Sequence, residues 1–524
     1  VTRRCRRNQQ ESEFMPFEEQ AAEYQRRRQK ALAMGGEPKL AQLKADGVLN
    51  ARERIERLLD PGTFLEHGLF GVSKYRELRD KSPADGKVAG YGKVDGREVG
   101  IVSNDFTVMG ASSSEVNSSK VGHVKKVATS RGLPLVFLGE STGARMPDAM
   151  GAAAIMGGDR PTQYRRMRET PWVSGVLGHC YGSSSWYAAL ADFVVMRKGA
   201  ITAVSSVKLT SMAISQAVDP EELGGWRLHT ETTGMVDLVV DTDEEGLDAI
   251  RRFLSYLPSH CNEAPPVQAV PAGSGADQQK ILDILPESRT KVYDVRKILN
   301  LIYDAGSVFE LKPRFGKAIV TALARLDGKS VGVVANNPFF KGGAIDPDAC
   351  DKVVSFLVLC DSFNIPVVFM VDQPGFLIGI EGERAGAIGR VMNWMNAISL
   401  VTVPKISVSM RKSYGQAVLN MGGAGNADEV VAWFTAELNF MDPRSAVTIV
   451  HGVTEQGDPS RFAELLAEMT KDTSAYDAAA TNAVHAVIHP CETRDYLIRV
   501  LDVHRMRMSN GVGQHLMRTW PTSY

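Results

Sequence analysis

A chain of 524 residues is too long for one ordinary hydrophobic core, so two domains are expected. With 44% apolar and 23% charged residues and a net charge of −1, it carries no global field that would draw it to nucleic acid or an anionic membrane. No stretch is long and apolar enough to span a bilayer, so no membrane span is expected.

The N-terminus is locally basic, with Arg3, Arg4, Arg6 and Arg7 and then Arg26–Arg28. Glu11, Glu13, Glu18 and Glu19 interrupt it and no apolar run follows, so residues 1–48 read as a solvated arm, not a secretory leader. Six cysteines, Cys5, Cys180, Cys261, Cys350, Cys360 and Cys491, form no CxxC and no cluster with zinc-ligand spacing. Reduced thiols in a cytoplasmic enzyme without a metal follow as the expectation. Glu18–Asp46 is expected to be helical with a break at Gly35–Pro38. In Leu49–Glu66, Asn50 can cap a helix, Glu53 sits at its N3 position, and Ile55, Leu58 and Leu59 form the apolar stripe that Pro61 and Gly62 end.

That segment recurs. Arg52, Asp60, Gly62 and Glu66 match Arg296, Asp304, Gly306 and Glu310 at a spacing of 244 (310 − 66). Val88–Gly143 aligns without a gap to Val320–Gly375 at a spacing of 232 (375 − 143). Each copy reads as a hairpin through Asp-Gly, a turn, a helix and a buried strand, Leu133–Leu138 or Ile365–Val371. Pro171 and Gly182 then match Pro404 and Gly415 at a spacing of 233 (415 − 182). A repeat this long predicts two homologous α/β domains, 49–261 and 280–524, joined by the Pro/Gly-rich linker 262–279. Pro459–Tyr524 is polar and helix-prone, with no visible repeat partner.

The duplicated feature with chemical content is a strand that breaks into a helix. Pro404–Met410 is β-prone, Lys412–Gly415 breaks it, and a helical pattern runs to Met421. Pro171–Met196 repeats the plan, with a Gly182 turn and an apolar helix. Such turns expose N–H groups, backed by a helix dipole, to an anion or a developing oxyanion. One such turn alone is more often structural; two suit a reaction in which both reactants gain negative charge. Cys180 reads as a small buried side chain, since no base is evident beside it. His123, His179, His229 and His451 are scattered and read as core or surface residues. Glu140 and Asp372, equivalent in the two copies, read as turn residues bonding nearby amides, ahead of general bases. There is no G-x-S-x-G elbow, Walker loop, HExxH or dinucleotide fingerprint.

Eight pieces in order, LNARERIERLLDPGTF (Leu49–Phe64), NDFTVMGAS (Asn104–Ser112), GARM (Gly143–Met146), GHCYG (Gly178–Gly182), EELGGWRLH (Glu221–His229), VDQPGF (Val371–Phe376), SYGQA (Ser413–Ala417) and IHPCETR (Ile488–Arg494), carry a resemblance. The chain resembles the carboxyltransferase (β) subunit of biotin-dependent acyl-CoA carboxylases of the propionyl-CoA and methylcrotonyl-CoA type. The resemblance implies α/β architecture with a crotonase-like ββα spiral in each half, and a homohexamer whose active site lies between the N-terminal half of one subunit and the C-terminal half of another. It implies acyl-CoA as substrate, and biotin carried by a partner with carrier and biotin carboxylase functions. The chain has no Met-Lys-Met attachment site or ATP-grasp glycine loop of its own. By position, the first oxyanion hole falls on Gly182 and Ser183 and the second on Gln416 and Ala417. The substrate-contacting positions fall on Gly143, Ala144, Arg145, Tyr414, Gly415 and Leu419. Propionyl-type members carry Gly at the Ser183 and Gln416 positions and an acid at Leu419. Alternatives are the transferase subunit of an acyl-CoA decarboxylase, a non-catalytic ring-forming paralogue, and a crotonase-like hydratase or thioesterase.

Overall fold

The computed structural model describes residues 17–152 and 164–521; the basic cluster at positions 3–7 lies outside the described residues. Two sheets of eight strands have the same plan. The first holds β1 (Leu65–His67), β2 (Lys87–Val94), β3 (Arg97–Asn104), β4 (Leu135–Ser141), β5 (Trp172–Tyr181), β6 (Phe193–Arg197), β7 (Ile201–Ala203) and β8 (Leu238–Val240). The second holds β9 (Phe309–Leu311), β10 (Ile319–Leu326), β11 (Lys329–Asn336), β12 (Val367–Gln373), β13 (Lys405–Tyr414), β14 (Glu429–Trp433), β15 (Glu437–Asn439) and β16 (Ala486–Ile488). The orders are β1-β2-β3-β4-β5-β6-β8, with β7 beside β5, and β9-β10-β11-β12-β13-β14-β16, with β15 beside β13. In each, the first three strands, an edge strand and the hairpin beside it, pair antiparallel and the remaining pairs are parallel.

The local chemistry repeats with the topology. Asn50 accepts from the N–H groups of Arg52 and Glu53, and Glu53 returns the bond, so the expected capping box forms. Arg52 grips Glu66 through two bonds of 2.9 Å, and Arg296 grips Glu310 through two of 2.7 Å, each pinning a helix to an edge strand. The hairpin turns have φ of 50° and 78° at Asp95–Gly96, and 52° and 74° at Asp327–Gly328. This left-handed pair matches the strand twist. Asp60 and Asp304 each accept from both turn amides, at 3.1 and 2.7 Å and at 3.2 and 2.8 Å. The crossover helices Glu115–Arg131 and Pro347–Ser362 each send one buried lysine to carbonyls of the preceding segment: Lys120 to Ala84 and Lys87, Lys352 to Phe315 and Ile319. Burial pushes Lys120 down to about 8 and Lys352 to about 7.

Three expectations change. β13 continues through Tyr414, past the break expected at Lys412, because Lys412–Tyr414 pair with β15. Phe193–Met196, at the end of the stretch expected to be helical, lies in strand β6, paired with β5 and β8. Ala486–Ile488 does have a repeat partner: β16 pairs β14 as β8 pairs β6, although the intervening chain is longer. Inside the expected linker, the Gln268 N–H donates to the Gly328 carbonyl at 2.9 Å, fastening the segment to the second hairpin.

The halves share a core. Phe193 stacks on Phe253 with ring centroids 4.6 Å apart and packs against Phe309 of the second sheet at 5.8 Å. Arg168 of the first half donates to the carbonyls of Arg518 and Trp520, at 2.9 and 2.8 Å. No helix among the described residues is long and apolar enough to cross a membrane.

Candidate functional site

β5 ends at Tyr181, Gly182 turns the chain with φ 63° and ψ −128°, and Ser183 opens the helix Ser183–Ala189. Glycine is required there, because a β-carbon resists that φ. β13 ends at Tyr414, Gly415 turns with φ 65°, and the helix Ala417–Asn420 follows. Among the described residues, no carbonyl or side chain accepts from the N–H of Ser183, Gln416 or Ala417. Gly415 spends its N–H on the Asn439 carbonyl at 3.0 Å, so in the second half the unspent pair starts one residue past the glycine. Helices of seven and four residues add little dipole; the amides themselves hold the charge.

The serine run is absorbed by the structure. Ser183 Oγ lies 2.9 Å from Ser113 Oγ, Asn104 Nδ2 donates to Ser184 Oγ at 3.1 Å, and Ser185 Oγ donates to the Gly182 carbonyl at 2.7 Å. Ser113 bridges Ala144, so the hydroxyl pair ties the Gly182 turn to the Gly143–Arg145 loop. A β-carbon on Gly182 would lie 3.6 Å from Gly143 Cα, which places the two glycines against each other. Gly182, Ser183, Gly143 and Ala144 are thus brought together. The Arg145 side chain is turned away from them: its guanidinium is buried on Asp85 at 2.6 Å and on Ser112. In the second half, Ile345 bridges Phe376 in the same way. Gln373 Nε2 donates to the Tyr414 carbonyl at 3.0 Å and sets the peptide entering the turn. Tyr414 itself is buried, its hydroxyl donating to Glu437 at 2.9 Å. Leu419 is half-buried, and the Gln416 side chain is exposed with no hydrogen bond among the described residues.

Beneath each turn lies a buried carboxylate at the same repeat position, paired to cations and not only to turn amides. Glu140 meets Arg54 at 2.7 and 3.3 Å, and Arg54 Nε meets Asp243 at 2.9 Å. Burial pulls the Arg54 pKa down, but Glu140 and Asp243 outweigh it and leave it raised. Asp372 accepts from Tyr293 Oη at 2.8 Å, Arg411 Nε at 3.0 Å and the Lys412 N–H at 3.3 Å. Arg411 also donates to the carbonyls of Pro286, Ser288 and Lys291 and so holds that loop beside the turn. Arg54 and Arg411 escape a reading for motifs; the signal is a mismatch inside the repeat, Arg54 against Ile298 and Gly178 against Arg411.

Of the other groups near the first turn, Cys180, Lys87 and Asp148 are buried, His229 is half-buried and His179 is exposed. Burial pushes the Cys180 thiol up to about 12, so it is no nucleophile at neutral pH. Lys87 donates to the Ala111 carbonyl at 3.0 Å, and burial pushes it down to about 7. Asp148 is buried with no hydrogen bond to its carboxylate among the described residues, and burial raises its pKa. His179 bonds Tyr181 Oη at 3.2 Å, and His229 bonds the Thr202 carbonyl at 2.9 Å.

The carboxyl transferase domain model matches residues 42–511. A propionyl-CoA carboxylase carboxyltransferase subunit from Haloferax mediterranei is 36% identical over 92% of this chain and 96% of that protein. A methylmalonyl-CoA decarboxylase subunit alpha from Veillonella parvula is 33% identical over 92% and 95%. The transcarboxylase 12S crystal structure, described as a hexamer with methylmalonyl-coenzyme A bound, superposes with a TM-score of 0.86 at 34% identity, covering 93% of this chain and 96% of that one. The two halves are accordingly the crotonase-like domains expected from the duplication. The free main-chain amides, their repetition at matching junctions and the match over nearly the whole length converge: this chain belongs to the carboxyl transferase family.

Proposed function

We propose that the chain is the carboxyltransferase subunit of a biotin-dependent acyl-CoA carboxylase, moving CO2 from carboxybiotin on a partner's carrier domain to the α or vinylogous carbon of an acyl-CoA. The repeated turn carries the reading: Ser183, Gln416 and Ala417 hold unspent N–H groups at matching strand ends. Two reactants that both gain negative charge on oxygen need two such donor sets. A thioester carbonyl and a ureido oxygen are both acceptors that adjacent amides fit. Carboxybiotin, when delivered, supplies the carboxyl group and a basic ureido oxygen. The amides of Gly182 and Ser183 hold the thioester oxygen as its α-proton leaves, with Gly143–Arg145 beside it. Those of Gln416 and Ala417 hold the ureido oxygen, with Tyr414, Gly415 and Leu419 around it. Glu140 and Asp372 are already spent on Arg54 and Arg411, so neither serves as the base.

In this reading residues 49–261 bind acyl-CoA, 262–279 connect, 280–524 receive biotin, and 1–48 form an arm. The partner provides biotin carboxylase and carrier functions, and the transferase works as a homohexamer in the cytoplasm. Incubation with a biotinylated carrier, its carboxylase, ATP, labelled bicarbonate and a panel of acyl-CoAs is expected to yield labelled malonyl-type thioesters, or glutaconyl-type ones where the vinylogous carbon reacts. No labelled product with any acyl-CoA, from a carrier shown to be carboxylated, overturns the proposal. A second reading, a hydratase using Asp148 as an acid or base, is favoured only by that residue's unpaired buried carboxyl. Hydration of an enoyl-CoA without biotin, lost in Asp148→Asn, would establish it.

A further inference from the structure

Behind the second turn lies a cavity of about 370 Å³. Ser413 and Val418, which flank Gly415–Ala417, line it on the turn side. Val371, Met421, Val430 and Leu438 give it apolar walls. The first half has the same cradle, filled. There Val176, Cys180, Ala188 and Val194, the repeat counterparts of Ser409, Ser413, Met421 and Val430, are all buried, and Trp226 packs among them. The second-half cavity has no Trp, Tyr or Phe in its lining, only the smaller ring of His485 beside Asn482, and Ser409 is smaller than the valine it matches. One cradle is therefore closed by its own side chains, while the other is left open beside its free amides.

We infer that this cavity takes the distal hydrocarbon of the acyl group, so that the substrates are medium-chain acyl-CoAs and not acetyl- or propionyl-CoA. The inference rests on the carboxyltransferase reading and names its substrate class. The volume corresponds to roughly a dozen water-sized groups, enough for about six to ten chain carbons. An apolar chain entering it gains burial with each methylene. A second subunit's second half can offer the same cavity to an acyl group held by the first half of its neighbour, because every copy carries both.

The test measures kcat/KM for straight-chain acyl-CoAs from acetyl to dodecanoyl with the complete carrier system, in wild type and in Ser409→Phe and Val430→Phe. Both substitutions fill the cavity from strands, away from the amides. Wild type is expected to peak at about six to ten carbons, and each variant to lose about tenfold or more on those chains while staying within about twofold on propionyl-CoA. A wild-type peak at two or three carbons overturns the inference whether or not the variants fold. So does an equal loss in folded variants at every chain length. Either outcome leaves the carboxyltransferase reading standing, whereas no product with any acyl-CoA removes both.

Discussion

The two halves keep a carboxylate at the same strand end and neutralise it from different directions. In the first half Glu140 reaches Arg54, supplied by the helix Ala51–Leu58, and Gly178 on the neighbouring strand leaves room: a β-carbon there would lie 2.0 Å from Glu140 Oε1. In the second half the neighbouring strand supplies Arg411, the helix position carries the buried Ile298, and the carboxylate shortens to Asp372. Three positions have therefore changed together, and each change makes sense only with the other two. A buried carboxylate must have a partner, but the fold does not dictate which element provides it.

The sharpest way to break this comparison is Gly178→Arg alone, which drives a side chain into Glu140 and is expected to abolish soluble, folded protein. Adding Glu140→Asp and Arg54→Ile recreates the second-half arrangement and is expected to recover part of the fold, read as soluble yield and circular dichroism. Next in size is Arg54→Met, which leaves Glu140 without its cation and Asp243 with the Arg197 guanidinium at 3.1 Å and the Leu49 N–H at 3.2 Å. A loss of about 3–5 kcal/mol in urea unfolding is expected. The third experiment separates main chain from side chain. Replacing Ser183 or Ala417 by its α-hydroxy acid, which turns one N–H into an ester oxygen, is expected to lower kcat by about 10²–10³-fold, or about 2.7–4 kcal/mol. Ser183→Ala and Gln416→Ala keep the N–H and are expected to cost far less. If the alanine variants lose as much as the esters, side chains and not amides carry the two sites.

The smallest expected effect concerns charge. Lys87 has Ile319 as its counterpart and is held down to about 7 by burial, against an ordinary lysine value of 10.5. Its folded pKa is depressed, so between those values the unfolded chain binds more protons and stability rises with pH. The gain present at high pH is lost as pH falls through about 7. The urea midpoint is expected to rise from pH 7 to pH 9 less steeply in Lys87→Met than in wild type.

Much of this architecture was legible from repeat spacing, because a gapless duplication aligns capping residues, turn glycines and buried strands without knowledge of their contacts. Asn50, the Asp-Gly hairpins and the Gly182 and Gly415 turns were readable since each works through its immediate neighbours. What stayed hidden depends on distant partners. Arg54 reads as one more charge on an amphipathic helix until Glu140 and Asp243 are brought to it across the first half. β16 escapes a reading for repeats because three helices separate it from β15 and its own pattern is only three residues. Arg145 groups with the site by position, and its side chain serves Asp85.

The contact of Arg168 with Arg518 and Trp520 has a consequence for how the molecule is made. The two carbonyls that receive its guanidinium are encoded 350 and 352 positions later. During translation the first half must therefore wait, its latch unengaged, while the whole second half leaves the ribosome. Separating the halves onto two polypeptides would turn that delay into a concentration-dependent docking step, visible as slow assembly on mixing.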